Sequence, residues 1–385
     1  MHTRDSSLAH ARCRDGTTGT VCHVLAYGPG LALTGLLAWF SIWFSEWAGT
    51  HVLGLDKSPV SAVMVAIISG MLLGNLVMLP DALKPGLRLA MKTVLRLGII
   101  LLGVRLSLYD VFRLGALGVP VVMLSIAGTL LATTLFAGWM RLPARLGALI
   151  GVGTSICGVS AIVAAAPAID AKDEEVTYAI AVITVFGLAA MALYPYLSYW
   201  ALAGKAVQTG LFLGTAIHET AQVAGAGLVY ADVFGTSEVL DTATVAKLVR
   251  NVFMAIVIPM TGLYYARRNA CAAQGQMSMA GLFPVFVLGF LVAAAGRSYG
   301  DLGVATHGRA FGVWDHATWV RLCGLVGEWA VNLMVVALAG VGLSTRFQTL
   351  RVLGVKPFVV GLAAALAAGL ISLTVISTLE RWLAV

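Results

Sequence analysis

The amino-acid sequence predicts an all-α polytopic membrane protein, and composition is the first reason. Hydrophobic residues make up 59% of the 385-residue chain and charged residues only 11%, against about 25% charged in an ordinary soluble domain. The 43 glycines and 13 methionines are typical of membrane helices, which tolerate glycine better than soluble helices do. A water-soluble enzyme of this size is therefore excluded.

The second reason is the spacing of the apolar segments. A bilayer core of about 30 Å needs about 20 apolar residues per helix, and this rule predicts eleven crossings. The connection 298–324 is the longest polar break and is predicted to be an external or re-entrant loop. The predicted crossings are residues 31–48, 59–80, 90–107, 116–138, 146–169, 176–200, 208–230, 243–265, 281–297, 325–343 and 357–379.

The charges predict the orientation of the chain. The formal net charge is +7, but the basic residues stand singly or in pairs between apolar runs, which indicates membrane loops and no nucleic-acid partner. Thirteen Lys/Arg lie on the N-terminal side of the predicted topology and eight on the other. The positive-inside rule then predicts a multi-pass protein of the bacterial inner membrane whose N-terminus is in the cytoplasm.

Domain organisation is predicted to be simple. Residues 1–29 are polar, include Arg4, Arg12 and Arg14 and lack a small-residue cleavage signal, so they are interpreted as a cytoplasmic tail. Residues 30–385 are interpreted as one transmembrane transporter domain.

Internal matches predict inverted structural repeats, with halves at about 59–200 and 208–379. Residues 103–122 match 340–360 across seven predicted helices, an odd number that inverts the copies in the membrane. Residues 153–165 (GTSICGVSAIVAA) match 214–226 (GTAIHETAQVAGA). This second pair has the same orientation if both segments cross fully and is inverted if both are re-entrant, and the sequence leaves that choice open.

The run GTSICG inside segment 146–169 predicts a discontinuous helix. Glycine costs about 1 kcal/mol against alanine in a helix, and Ser and Thr compete for backbone hydrogen bonds. A break near Gly153–Gly158 would expose the N-terminus of a half-helix starting near Val159, where N–H groups attract an anion. The alternative is tight helix packing through small residues. The candidate substrate-binding residues here are Gly153, Thr154, Ser155, Ile156, Cys157, Gly158 and Ser160.

A second discontinuous helix is predicted in segment 208–230, where His218, Glu219 and Gln222 stand in mid-segment. Charged residues at this depth usually face a cavity or a partner. A His beside a carboxylate can titrate near neutral pH, so His218 and Glu219 are the candidates for ion coupling, and Gln222 for substrate binding. The alternative is a polar cluster that only holds helices in register.

Basic residues in two spans suggest how charge is balanced. Lys247 and Arg250 follow one helix later and are predicted to bind substrate or to neutralise Glu219. Lys92 and Arg96 lie near a helix start, where they either extend to the interface or balance charge. Because these four cations outnumber the carboxylates inside the predicted spans, an anionic cargo is predicted.

Other chemistry is not indicated by the sequence. It contains no nucleophile elbow, Walker loop or HExxH motif, so no enzyme activity, ATP hydrolysis or cofactor is expected. The five cysteines lack metal-ligand spacing, so no metal is expected.

Taken together, these segments resemble the YeiH-type membrane proteins, a family named for sulfate export, over residues 55–379. The resemblance implies a secondary transporter with inverted repeats, related in architecture to cation/proton antiporters and bile-acid symporters. It implies functional roles for the residues already chosen in 153–160, 218–222 and 247–250. Asn251 departs from the family pattern, which leads us to expect an apolar residue there. The resemblance is carried by GNLVMLP (74–80), KPGLRLAMKTVLRLGIILLGVRLS (84–107), LIGVGTSICGVSAI (149–162), VFGLAAMALYP (185–195), IHETAQVAGAG (217–227), KLVRNVF (247–253) and GVGLSTRF (340–347).

The predicted function is proton-coupled export of a small anion: sulfate, another sulfur oxyanion or a sulfonate. One alternative is a sodium-coupled organic-anion or carboxylate symporter, and another is a passive anion channel or a membrane sensor. The expected partners are the anion, a coupling proton or sodium ion, and the lipid bilayer. The oligomeric state is left open, with a homodimer among the options.

Overall fold

The computed structural model describes residues 16–52, 61–268, 284–345 and 354–379. Within these ranges the regular structure is helical, apart from two short antiparallel strands, β1 (Arg309–Ala310) and β2 (Trp314–Asp315). Six helical stretches are long and apolar enough to cross a bilayer, which confirms a polytopic helical membrane protein. They are Ala26–Trp47, Leu108–Trp139, Asp173–Ala201, Glu238–Arg267, His316–Ser344 and Val355–Thr378.

One group of helices, the first bundle, packs through glycines. Gly70 and Gly74 face the backbone of residues 339–343; a β-carbon on Gly70 would lie only 2.8 Å from the Ala339 carbonyl oxygen. Small residues of this kind allow membrane helices to approach closely. The bundle consists of α1 (Gly16–Trp47, continued by a π-helical turn Ala48–Val52), α2 (Ala62–Leu76), α3 (Lys84–Leu89), a π-helical turn (Ala90–Val94), α4 (Leu95–Leu102, continued by a 3-10 turn Gly103–Arg105), α13 (Phe286–His307) and α14 (His316–Ser344).

The second bundle contains the two discontinuous segments. Its last helix contacts an earlier one through Gly369, which lies against the Tyr194 ring. The bundle consists of α5 (Leu108–Trp139), α6 (Ala144–Ser155), α7 (Val159–Ala165), α8 (Asp173–Ala201), α9 (Ala206–Ala216), α10 (Thr220–Phe234), α11 (Glu238–Val252), α12 (Met254–Arg268) and α15 (Val355–Thr378).

Helices α6 and α7 fold back on each other. Arg145, at the start of α6, forms a 3.0 Å ion pair with Asp170, which lies beyond the end of α7. Near the break, a β-carbon on Gly153 would lie 2.8 Å from the Ile162 side chain. Both ends of the segment are therefore at the same end of the bundle, and we call residues 144–169 hairpin 1.

Helices α9 and α10 also fold back. The α9 contacts with α11 advance in the same direction along both helices, so these two helices are parallel. The α10 contacts run in the opposite direction, from Gly227 with Leu240 to Thr220 with Asn251. We call residues 206–234 hairpin 2. The α9 contacts are Gly210 with Thr242 and Gly214 with Ala246.

The two hairpins point towards each other. Helices α11 and α12 are separated only by Phe253. Helix α11 lies beside hairpin 2, and α12 continues to the base of hairpin 1. The start of α11 follows the base of hairpin 2, whereas Tyr265, near the end of α12, donates to the Ala144 carbonyl at the base of hairpin 1 (2.7 Å). The tips of both hairpins therefore meet where α11 gives way to α12.

These contacts confirm one sequence prediction and correct another. The break between Gly153 and Gly158 is confirmed, since α6 ends at Ser155 and α7 begins at Val159. The prediction that 146–169 and 208–230 count as two of eleven crossings is wrong, because each segment returns to the end from which it started. The match between 153–165 and 214–226 therefore relates two inverted tips.

The prediction of a long loop at 298–324 is also wrong. Helix α13 continues to His307, and α14 begins at His316 after the two strands. Polar residues extend these helices because they bind one another: Arg297 pairs with Asp301 at 2.8 Å, and the Trp319 indole donates to Asp301 at 2.7 Å. The polar residues of 298–324 therefore indicate hydrogen bonds made by the helices and do not indicate a loop.

The predicted tail 1–29 is helical from Gly16, where α1 begins, and residues 1–15 lie outside the described part of the chain. The predicted spans 59–80 and 281–297 begin just outside it as well, and the match 103–122 with 340–360 falls partly outside it.

Cysteine labelling tests the fold-back geometry. In a cysteine-free background, we expect Arg141→Cys and Lys172→Cys, which flank hairpin 1, to react with a membrane-impermeant maleimide from one face of the membrane. We expect Ala203→Cys and Ser237→Cys, which flank hairpin 2, to react from the other face, together with Tyr109→Cys at the start of α5. Labelling of Arg141→Cys and Lys172→Cys from opposite faces would contradict the hairpin.

Candidate functional site

Lys247 joins the two hairpin tips. Its ammonium group donates to the carbonyls of Ile156 (2.9 Å) and Ile217 (3.0 Å), and to that of His218. The side chain is completely buried. Because an ammonium group has three donors, these three main-chain oxygens use all of them.

Arg250, one helical turn later on α11, makes a similar connection and is 1% exposed. Its guanidinium binds the last carbonyls of α6 and α9, which have no partner within their own helices. Its acceptors are the carbonyls of Ser155 (2.6 Å), Thr215 (2.8 Å), Ile217 (2.8 Å), Gly214 (3.4 Å) and Thr154.

The two cations are therefore C-terminal caps for α6 and α9. A helix C-terminus has a partial negative charge, and a cation stabilises it. Among the described residues, no carboxylate lies at ion-pair distance from Lys247 or Arg250. The charge of these residues acts at the junction, while all the donors of Lys247 and most of those of Arg250 are already used by the protein.

Glu219 lies on the other side of the junction, just before α10, and is partly exposed. Its Oε1 accepts from the Val159 N–H at 3.4 Å. Gly158 makes this approach possible in two ways: its φ of +67° is in the left-handed region, and a β-carbon there would overlap Glu219 Cγ. The site therefore has its one carboxylate beside helix N-termini, where negative charge is stabilised.

Gln222 holds the start of α10 against α8. Its Oε1 accepts from the Glu219 N–H at 3.2 Å, and its Nε2 donates to the Thr184 carbonyl at 3.4 Å. Gly187 of α8 leaves the space for this carboxamide. The geometry assigns Gln222 to positioning Glu219.

Three buried polar atoms around the tips have no hydrogen-bond partner within the described residues: Thr154 Oγ1, His218 Nδ1 and Asn251 Oδ1. Groups of this kind are rare, because leaving them unpaired costs free energy. Cys157, a predicted site residue at the tip of hairpin 1, has a partner, because its thiol contacts the Met254 sulfur at 3.6 Å. The junction therefore has polar groups that the described protein atoms do not satisfy.

The structure brings together most of the predicted site residues, though several in another role. Ile156 and Ser155 contribute main-chain carbonyls, and the Ser155 hydroxyl donates within its own helix, to Val152 (3.4 Å). Gly153 packs against Ile162, and Ser160 is exposed on α7.

Lys92 and Arg96 lie elsewhere. Both side chains are exposed in the first bundle, and the Arg96 guanidinium lies over the Phe286 ring at 5.8 Å. Their predicted charge-balancing role therefore has no support from the geometry. Sequence reasoning missed the contact between Asn251 and Thr220 (3.3 Å), although the polar residue at 251 was a visible signal.

These features define the class: a polytopic helical membrane protein with two opposed, discontinuous hairpins. The family model described as Conserved hypothetical protein 698 matches residues 29–361, so the chain belongs to the YeiH/UPF0324 membrane protein family, and the resemblance is confirmed. No solved structure matches the chain.

Three relatives illustrate the similarity, and all are named as UPF0324 membrane proteins. One from Fusobacterium nucleatum is 27% identical over 89% of this chain and 96% of its own. One from Streptococcus pyogenes serotype M18 is 32% identical over 92% and 98%. One from Pseudomonas aeruginosa is 32% identical over 89% and 91%.

The approach of Glu219 to Gly158 can be tested by Gly158→Ala. We expect it to lower the free energy of unfolding by about 2 kcal/mol or more, because it combines a left-handed φ with an overlap. The readout is the melting temperature in detergent. Gly138→Ala is the control, because a β-carbon at Gly138 meets nothing within 4 Å. Equal melting temperatures for the two variants would contradict the geometry.

Removal of the Lys247 charge tests the cap. Lys247→Met leaves the carbonyls of Ile156 and His218 unpaired in a buried site, while that of Ile217 keeps Arg250 as a donor. We therefore expect a large drop in melting temperature. The exposed Lys92→Met should change stability by less than about 0.5 kcal/mol. A similar loss of melting temperature in the two variants would show that the carbonyl contacts of Lys247 do not stabilise the fold.

Proposed function

We propose that this protein is a secondary active transporter that moves a small anion through the junction of the two hairpin tips. One observation carries the proposal: hairpins from opposite ends meet at two buried cations and a partly exposed carboxylate. Broken helices at membrane depth are tolerated where they are packed in protein or line a cavity, and in transporters such breaks form the substrate site.

The topology we propose has nine crossing segments and two re-entrant hairpins, with the hairpins as inverted repeats. Relative to eleven crossings, Lys172 and Lys205 exchange sides, so the count of Lys/Arg stays at thirteen and eight. The positive-inside rule still favours a cytoplasmic N-terminus in a bacterial inner membrane.

Charge favours an anion as cargo. At the junction Lys247 and Arg250 outnumber Glu219 by one positive charge, and the negative helix ends that they cap are offset by the N-terminal ends of α7 and α10. The excess attracts an anion through the field of the site. The family name then favours sulfate, another sulfur oxyanion or a sulfonate as substrate.

Glu219 is the best candidate for proton coupling. Its carboxylate lies beside the helix N-termini that would attract the anion, so the two negative charges compete for one region. Protonation of Glu219 removes this repulsion and favours anion binding. His218 is adjacent but almost completely buried, so we propose that it assists Glu219. The direction we propose is export, which the family name suggests.

The contacts between the bundles support alternating access. Ser61 of α2 donates to Asp232 of α10 at 2.7 Å, and Arg105 pairs with Asp241 of α11 at 3.1 Å. Both contacts lie at the end of the molecule where hairpin 2 begins. Movement of one bundle past the other would break them and open that end.

Sodium-coupled symport is the second candidate. The observation that favours it is the Glu219 carboxylate, which has no cationic partner at ion-pair distance among the described residues. A carboxylate with nearby hydroxyl and amide oxygens suits a hard cation.

Counter-flow in proteoliposomes tests the proposal. We expect saturable, pH-dependent uptake of labelled sulfate or a sulfonate into vesicles preloaded with the same anion. Glu219→Gln should abolish the pH dependence, because the side chain no longer titrates. Glu328→Gln, an exposed glutamate of the first bundle, should leave it unchanged.

Three results would contradict parts of this proposal. Unsaturable, voltage-driven conductance would identify a channel. Flux that depends on sodium and not on pH would select the symporter. A Glu219→Gln variant with normal pH dependence would remove Glu219 from coupling.

A further inference from the structure

Buried polar atoms without partners fall into two main groups in the described residues. One group surrounds the hairpin tips and the other lies towards the base of hairpin 2. In a low-dielectric interior, an unpaired polar group is destabilising, so such groups indicate a missing partner. The tip group is Thr154, His218 and Asn251; the base group is Thr209, Tyr230 and Thr242; Ser125 of α5 is a further member. Asp241 Oδ1 also lacks a hydrogen bond, but it is ion-paired with Arg105 at 3.1 Å.

Asn251 is the side chain of the tip group with the clearest geometry. It follows Arg250 near the end of α11 and is 3% exposed. Its Nδ2 donates to the Thr220 hydroxyl at 3.3 Å, while its Oδ1 has no partner among the described residues. Thr220 and Glu219 beside it are partly exposed, so the amide lies directly behind the accessible part of the junction.

Asn75 offers a comparison within the same chain, because its amide joins two helices. Its Nδ2 donates to the carbonyls of Met71 and Thr345, both at 2.8 Å, and so joins α2 to the end of α14. Within the described part of the chain, the Asn251 side chain makes one hydrogen bond and its Oδ1 has no partner. An apolar residue would fill the same space without this desolvation cost, so the amide of Asn251 has a use that helix packing does not explain.

The chemistry around Asn251 narrows the class of ligand. The Asn251 amide oxygen is an acceptor, so it requires a ligand with a hydrogen-bond donor. Lys247 and Arg250 leave the junction positively charged, which disfavours an ammonium group and favours a neutral hydroxyl. Thr220 and the N-terminus of the 15-residue helix α10 suit the anionic part of the same ligand.

We propose that Asn251 binds the substrate directly and that the substrate is a small organic oxyanion with a hydroxyl group near its charged head, such as a hydroxyalkyl sulfonate. This inference rests on the proposed transport function and specifies its substrate class. Asn251 is then the residue that distinguishes hydroxylated anions from otherwise similar ones, because an unpaired buried acceptor rejects a ligand that cannot satisfy it.

Binding of two matched sulfonates to the purified full-length protein tests the proposal. We expect 2-hydroxyethanesulfonate to bind about 10-fold more tightly than ethanesulfonate, since one hydrogen bond to a buried acceptor has roughly this effect. In Asn251→Leu the preference should fall to within about 2-fold, while affinity for ethanesulfonate is retained. Asn75→Leu is the matched control and should keep the preference.

A second variant covers the case in which Asn251→Leu fails to fold. Thr220→Val removes the hydroxyl that orients the amide, and we expect it to reduce the preference several-fold. Equal binding of the two sulfonates to the unmodified protein would overturn this inference and leave anion transport intact. A preference that survives in Thr220→Val and in any folded Asn251→Leu protein would overturn the assignment of Asn251. If neither sulfonate nor sulfate binds, the transport proposal fails and this inference fails with it.

Discussion

The described fold depends on how broken backbone is satisfied at membrane depth. Helices α6 and α9 both end inside the protein, and their last carbonyls would be unpaired without a partner from outside the helix. Lys247 and Arg250 supply that partner for both tips at once. The dependence is mutual: buried cations need compensating oxygens as much as the broken helices need donors. Neither hairpin tip could be moved independently of α11.

This arrangement divides the junction by charge. The C-terminal ends of α6 and α9 and the two cations form a closed, fully buried network, whereas Glu219, Thr220 and the start of α7 are partly exposed. The cations therefore influence a ligand through their field, while contact with it falls to the groups on the accessible side. In the function we propose, the net positive charge of the junction therefore favours an anion, and Asn251 selects among anions.

The sequence predicted composition-driven features well and long-range geometry poorly. The break before Val159 follows from local glycine and hydroxyl content, and buried charge in mid-segment marked His218 and Glu219. The fold-back of hairpin 1 could not be predicted, because it depends on contacts such as Arg145 with Asp170, 25 residues apart. Spacing also could not predict that Lys92 and Arg96 are exposed whereas Lys247 and Arg250 are buried. Both pairs stand at helical intervals, and they differ only in what packs against them.

The same contacts bear on how the site would move. Lys247, Arg250 and all of their carbonyl partners belong to the second bundle, so the junction is held together by contacts that do not involve the first bundle. Apolar packing across the bundles, such as Gly225 against Leu338, is non-directional and tolerates sliding. The directional contacts that the described residues show, Ser61 with Asp232, Arg105 with Asp241 and the Leu108 N–H with Ser298, are at one end. A rigid-body shift could therefore open that end while the capped tips stay intact, and this is the condition that alternating access around a fixed site requires.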